Sequence, residues 1–236
     1  MTPALQHHHV RAVERPRLVV LGEAGPVTLL DHLRQSQPHA VRQNVARNLT
    51  LFSEGDSTDC VYVLVKGTVR LCKHTPGGRR HVIDFVLPGE VFGLVEQPEH
   101  TMTAEAVSDA VLVSFSRSQL DRYAAANPVV RRRILSVVSD NLATAQQQLL
   151  ILGCHDARER LASFLLRLAD RAGLGAGNRL ALPMGRQDIA DHLGLTIETV
   201  CRTIRQLCRD GIVSVPGIHD IVLADMAALS SLAIEI

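Results

Sequence analysis

Between Val41 and Phe115 the apolar positions fall in short β-branched runs, at residues 60–65, 67–72, 81–87 and 110–115, separated by turn residues. Such runs predict strands, because branched side chains pack well on a pleated surface and alternate residues reach its two faces. The breaks carry their own chemistry. Glu54-Gly55-Asp56-Ser57, Thr75-Pro76-Gly77-Gly78 and Pro88-Gly89-Glu90 supply the tolerance of positive φ and the fixed proline φ that tight turns require. Many short strands at this spacing predict a small antiparallel barrel or jelly roll.

The period changes after Asn127-Pro128. Leu135, Val138, Leu142, Ala145, Leu149 and Leu152 alternate steps of three and four along an otherwise polar stretch. One helix from Pro128 to about Leu152 accounts for this rhythm, and its stripe has two possible partners. It either seams two copies of the chain into a homodimer, the reading adopted, or packs back on the barrel. A second helix, from Asp156 to about Arg171, stops at Gly173, Gly175 and Gly177, and residues 179–182 read as a short strand. Two short helical patterns follow Gly185, then Gly211-Ile212-Val213, Pro216-Gly217 and Ile221-Val222-Leu223 predict a two-stranded wing. The expected organisation is an α+β chain: a tail over 1–27, a β-barrel domain over 28–127, a dimerisation helix over 128–153 and a winged helix-turn-helix over 154–236.

The most informative stretch is Met-Gly-Arg-Gln-Asp-Ile-Ala-Asp-His-Leu-Gly-Leu-Thr-Ile-Glu-Thr-Val-Cys-Arg-Thr-Ile-Arg-Gln-Leu, residues 184–207. Ile189, Ala190 and Leu193 form the inward face of a first helix, and Gly194 supplies the turn. Thr196 caps a second helix anchored by Val200, Ile204 and Leu207, leaving Glu198, Cys201, Arg202 and Arg205 on other faces. Taken alone, Glu198 and Arg202 are an i,i+4 surface pair worth about 0.3–0.5 kcal/mol. Within a helix-turn-helix they become base readers, since Arg donates two bonds to guanine and Glu accepts from cytosine N4 in the major groove. Thr196, Arg186 and Arg205 are then expected on the DNA backbone.

Composition narrows the rest. Net charge is +1, so nucleic acid must meet a local basic patch, here Arg186, Arg202, Arg205 and Arg209, in a chain whose only lysines are Lys66 and Lys73. No run of about 18 uncharged apolar residues occurs, and the start MTPALQHHH lacks a signal-peptide core; the expectation is a cytoplasmic chain with no membrane partner. The five cysteines, Cys60, Cys72, Cys154, Cys201 and Cys208, contain no C-x-x-C pair and are expected as reduced thiols. Cys201 stands apart as a redox candidate: a thiol beside Arg202 and Arg205 is either an oxidation switch or simply a small residue tolerated at the interface. His7, His8 and His9 read as a disordered or appended tail, and His74, His81 and His100 show no ligand spacing, so no metal is expected. No nucleophile–base pair, H-E-x-x-H motif or phosphate-cradling glycine loop is present, which argues against an enzyme.

The order of barrel, long helix and winged helix-turn-helix resembles the CRP/FNR superfamily of bacterial regulators over roughly residues 40–225. The pieces that carry the resemblance are Arg186-Gln-Asp-Ile-Ala, Leu193-Gly-Leu-Thr and Glu198-Thr-Val-Cys-Arg202. Glu198 with Arg202 is similar to the FNR/FixK-type reader of TTGA…TCAA palindromes, and cysteine before the arginine is frequent in the FixK-like branch. The resemblance implies a cyclic-nucleotide-binding-domain-like barrel that touches RNA polymerase or transmits a signal, and a homodimeric regulator of double-stranded DNA, of the activator kind. Two departures shape the cofactor expectation. Residues 86–93 keep the family turn, but Glu99-His100-Thr101-Met102-Thr103 replaces the Arg-Ser pair that holds the cyclic-nucleotide phosphate, and no cysteine precedes Cys60 to ligate an Fe–S cluster. A regulator without cAMP or cluster follows; the alternative is one whose barrel binds an unidentified small molecule.

Overall fold

The computed structural model describes residues 40–154 and 156–233. The expected tail over 1–27, with His7, His8 and His9, and the first part of the expected barrel domain, residues 28–39, lie outside the described residues.

Two four-stranded antiparallel sheets face each other. One runs in the order β1 (Val41–Val45), β8 (Ala110–Ser116), β3 (Cys60–Lys66), β6 (Val91–Phe92); the other runs β2 (Thr50–Phe52), β7 (Thr103–Ala106), β4 (Val69–His74), β5 (Arg80–Val86). The order jumps between sheets as the chain proceeds, giving the expected jelly roll. Strand β3 explains why its run reads as almost continuously apolar. Leu64 joins Phe52, Val69, Phe92 and Leu112 in one core cluster, while Val61 and Val63 join Phe115, Leu120 and Val130 in another. Both faces of the strand are therefore buried. The β3–β4 turn needs its glycine: Gly67 has φ +89°, and a Cβ there would lie 2.4 Å from the Asp109 carbonyl oxygen.

Helix α1 (Arg117–Ala126) closes this domain and was not apparent in the sequence, because Leu120 is its one buried residue and gives no periodic stripe. Helix α2 (Pro128–Cys154) follows, 27 residues or about 40 Å at 1.5 Å per residue. Val130 and Ile151, near its ends, are buried.

The C-terminal part comprises α3 (Ala157–Ala172), β9 (Arg179–Ala181), α4 (Arg186–Leu193), α5 (Ile197–Arg209), β10 (Val213–Gly217), β11 (Asp220–Leu223) and α6 (Met226–Leu232). Asp156 caps α3 in a reciprocal box with Glu159, and the helix stops at Gly173 with φ 74°. The wing is three-stranded rather than two-stranded, in the order β10-β11-β9. Strand β9 pairs Leu180 with Ile221, which seals both side chains in the core.

The two parts share a core. Val82, Phe85 and Leu87 from around β5 belong to one cluster with Leu161, Phe164, Leu165, Ile189, Val200, Ile204 and Leu207. His192 of α4 is buried against Phe85 and Phe164, at ring-centroid distances of 5.4 and 5.5 Å, with Nδ1 3.1 Å from the Val82 carbonyl oxygen. Desolvation pushes its pKa down to about 4, so the imidazole is neutral near pH 7. Charged straps surround this contact. Asp188 accepts from Arg70 Nη1 at 3.1 Å and Arg80 Nη2 at 2.7 Å, and Arg80 also reaches Asp191. Arg171 donates to Asp84 at 2.8 Å, to Glu90 at 2.9 Å and to the Phe85 carbonyl at 2.7 Å.

Candidate nucleic-acid interface

The reading head is built from α4 and α5. Asp188 caps α4 from inside, accepting from the Gly185 N–H at 3.1 Å. Gly194 then takes the left-handed conformation, φ 63° and ψ 33°, returning its N–H to the Ala190 carbonyl. A side chain there is disfavoured by about 1–2 kcal/mol, which is why the turn falls on glycine. Thr196 caps α5 by accepting from the Thr199 N–H at 3.2 Å. Val200, Ile204 and Leu207 are buried as their spacing predicts, together with Thr203.

The opposite face of α5 is polar. Glu198, Arg202, Arg205 and Arg209 are exposed. The Glu198 carboxyl is held below its usual range by its own backbone N–H and then by the Thr196 hydroxyl, so it presents an ionised acceptor. Arg202 rests its Nη2 on Thr199 Oγ1 at 3.4 Å. Among the described residues no ion pair joins Glu198 to Arg202, so the ordinary surface pair does not consume the two side chains. Both remain available to an outside partner.

Cys201 is half-buried and free, as is Cys208 on the same helix. Arg186, expected on the DNA backbone, lies outside α5. It is half-buried at the start of α4, where burial lowers its pKa while the nearby Cys201 and Cys208 thiols oppose that shift. The structure therefore gathers Glu198, Cys201, Arg202 and Arg205 on α5, with Thr196 at its N-cap, and sets Arg186 near the thiols. Ile218, at the wing turn, is 87% exposed and shares a recess with Met184, Arg186, Val215 and His219.

The stripe of α2 also has a definite place. Leu135, Val138, Leu142, Leu149 and Leu152 are 36–71% exposed, and Ala145 is exposed with them. Within one chain the stripe does not pack on the barrel. The same helix fixes the reading head: Arg160 Nη1 donates to the Leu193 carbonyl and Nη2 to the Leu152 carbonyl, both at 3.0 Å, and Gln148 donates to the His192 carbonyl at 3.0 Å. These ties join residues distant in sequence and have no local signal.

Residues 159–232 match the family described as the Crp-like helix-turn-helix domain, and residues 42–127 match the cyclic nucleotide-binding domain. The nitrogen fixation regulation protein FixK of Azorhizobium caulinodans is 42% identical over 190 residues, covering 79% of this chain and 77% of that relative. The chain belongs to the FixK-like branch of the CRP/FNR family. A FixK of Bradyrhizobium diazoefficiens is 37% identical, with 85% of each chain covered. The solved structure of FixK2 from Bradyrhizobium japonicum superposes on this FixK-like regulator with a TM-score of 0.79 at 36% identity, covering 84% of this chain and 98% of that one. Its relatives are named as transcriptional regulators and activators, so this CRP/FNR member is a DNA-binding transcription regulator and not an enzyme. Among the described residues no helix is long and apolar enough to cross a membrane.

Proposed function

We propose that the chain works in the cytoplasm as a homodimeric transcription activator that reads a TTGA…TCAA-type palindrome. The observation that carries this reading is the pair Glu198 and Arg202, exposed on the first turns of α5 and not spent on each other. The exposed stripe Leu135, Val138, Leu142, Ala145, Leu149 and Leu152 supports the dimer. Two copies joined there bring two recognition helices to successive major-groove faces about 34 Å apart, and two-fold symmetry calls for a palindrome. The jelly roll is the surface offered to RNA polymerase.

The reading needs neither cAMP nor an Fe–S cluster. His100, in the segment that replaces the phosphate-binding pair, is buried and stacks on Phe52 at a centroid distance of 3.7 Å, where it offers no exposed cation to a phosphate. Glu90, in the retained family turn, is already engaged by Arg171 and by the Leu87 N–H at 2.9 Å.

Arg202 and Arg205 divide the work. Arg202→Ala costs about 1–3 kcal/mol on the cognate site and relaxes base preference, whereas Arg205→Ala weakens cognate and scrambled DNA alike. Titrations of both variants on both duplexes check this; equal losses on the two duplexes for Arg202→Ala count against base reading.

Cys201 is the oxidation-sensitive residue in this scheme. Its position on α5 near Arg186 places a thiol where a sulfinate or sulfonate would repel phosphates. Peroxide is expected to abolish DNA binding by the parent and spare the Cys201→Ser variant. Equal inactivation of both would remove the switch.

A further inference from the structure

A second cluster of chemistry lies outside the reading head, on the sheet formed by β2, β7, β4 and β5. In β4, Cys72 and His74 are two residues apart and therefore project from the same face. Strand β7 runs antiparallel beside them with Arg70 opposite Glu105 and Cys72 opposite Thr103, which brings Glu105 to that face as well. The Cys72 sulfur, an imidazole nitrogen of His74 and a carboxylate oxygen of Glu105 all lie within 4.8 Å of one another. A tetrahedral ion with bonds of about 2.0–2.3 Å sets its ligands about 3.3–3.8 Å apart, so closure requires only small side-chain movements.

From this juxtaposition we infer that Cys72, His74 and Glu105 form a binding site for one thiophilic divalent ion of the zinc class. Thiolate, imidazole and carboxylate are the donors that zinc takes, and three protein ligands leave the fourth position to water. The graded burial fits that arrangement: Cys72 is buried, Glu105 half-buried and His74 exposed, so the ion enters and keeps its water on the His74 side. Arg70 engages Glu105 Oε2 through Nε at 2.7 Å and Nη2 at 2.6 Å, orienting the carboxylate while Oε1 takes no bond from it. Such an outer hydrogen bond is the usual support of a metal-bound carboxylate. The thiol, pushed up to about 11 by burial and then by the Glu105 charge, is protonated at neutral pH; the entering ion displaces that proton to water and forms the metal–sulfur bond. The residue spacing hides this site, because the third donor arrives from the neighbouring strand.

Cobalt(II) is the probe, added to the full-length, reduced, chelator-stripped chain. The expected result is one thiolate-bound cobalt per chain, seen as a sulfur-to-cobalt charge-transfer band with tetrahedral d–d absorption, and displaced by zinc. Cys72→Ser removes the charge-transfer band, His74→Ala weakens binding at least about tenfold, and Cys201→Ser leaves both unchanged. His74 is exposed, so its variant keeps the fold even if the buried Cys72 variant does not; thermal melts verify this. Cobalt taken up by imidazoles alone, such as those of His7, His8 and His9, gives no sulfur-to-cobalt band and is told apart by that absence. Absence of the band at equimolar cobalt, or a band of undiminished affinity in His74→Ala, overturns the site.

Discussion

Replacing Asp188 by alanine is expected to cost about 3–5 kcal/mol of folding stability. The Asp188 side chain is 11% exposed and accepts from Arg70 and Arg80, themselves 12% and 21% exposed, while its second oxygen caps α4. Removing the carboxylate leaves two largely desolvated guanidinium groups short of a partner and frees the Gly185 N–H. Arg70 retains Glu105 and Arg80 retains Asp191, which places the cost within this range rather than above it. Urea unfolding at unchanged m measures it. A loss below about 1 kcal/mol would mean that the straps between jelly roll and reading head are held by water instead.

The second large effect concerns the stripe of α2. The double variant Leu142→Asp, Leu149→Asp is expected to be monomeric at micromolar concentration and to lose specific DNA binding by about 10³-fold or more, toward the non-specific level. Both leucines are exposed in the single chain, at 58% and 71%, so the change does not open a core. It sets like charges along a seam that is otherwise apolar, and separates two half-site readers that act as one. Sedimentation and DNA titration report the two consequences separately. A double variant that stays dimeric would remove the stripe as the interface, and a monomer of parental affinity would remove the need for two heads.

Much of this was legible because local chemistry and tertiary placement agree. The β-branched runs became β3, β4, β5 and β8 within a residue or two, and the alternating steps of three and four became α2. Gly194 and Thr196 marked the turn and cap of the reading head because each satisfies a backbone requirement that few other residues meet. Helix α1 escaped because it buries Leu120 alone, and β9 joined the wing through a partner, Ile221, that no local pattern names.

The candidate site divides in the same way. Glu198, Arg202 and Arg205 stand exposed on α5 because the apolar spacing of Val200, Ile204 and Leu207 fixes the opposite face. Arg186 lies half-buried at the start of α4 near the thiols of Cys201 and Cys208, a proximity set by the packing of α4 against α5 that the local sequence does not show. The straps from Arg70, Arg80 and Arg171 were invisible for a plainer reason. Each joins charges about 80–120 residues apart, whose complementarity exists only after the two domains meet.

The central claim is that a doubled Glu198–Arg202 reader selects a symmetric DNA site. Selection of bound sequences from a random duplex pool by the purified reduced protein tests it most directly. The expected outcome is enrichment of an inverted repeat of TTGA half-sites with their centres one helical turn apart. Enrichment of a single asymmetric sequence, or of a palindrome built on different half-sites, would contradict it.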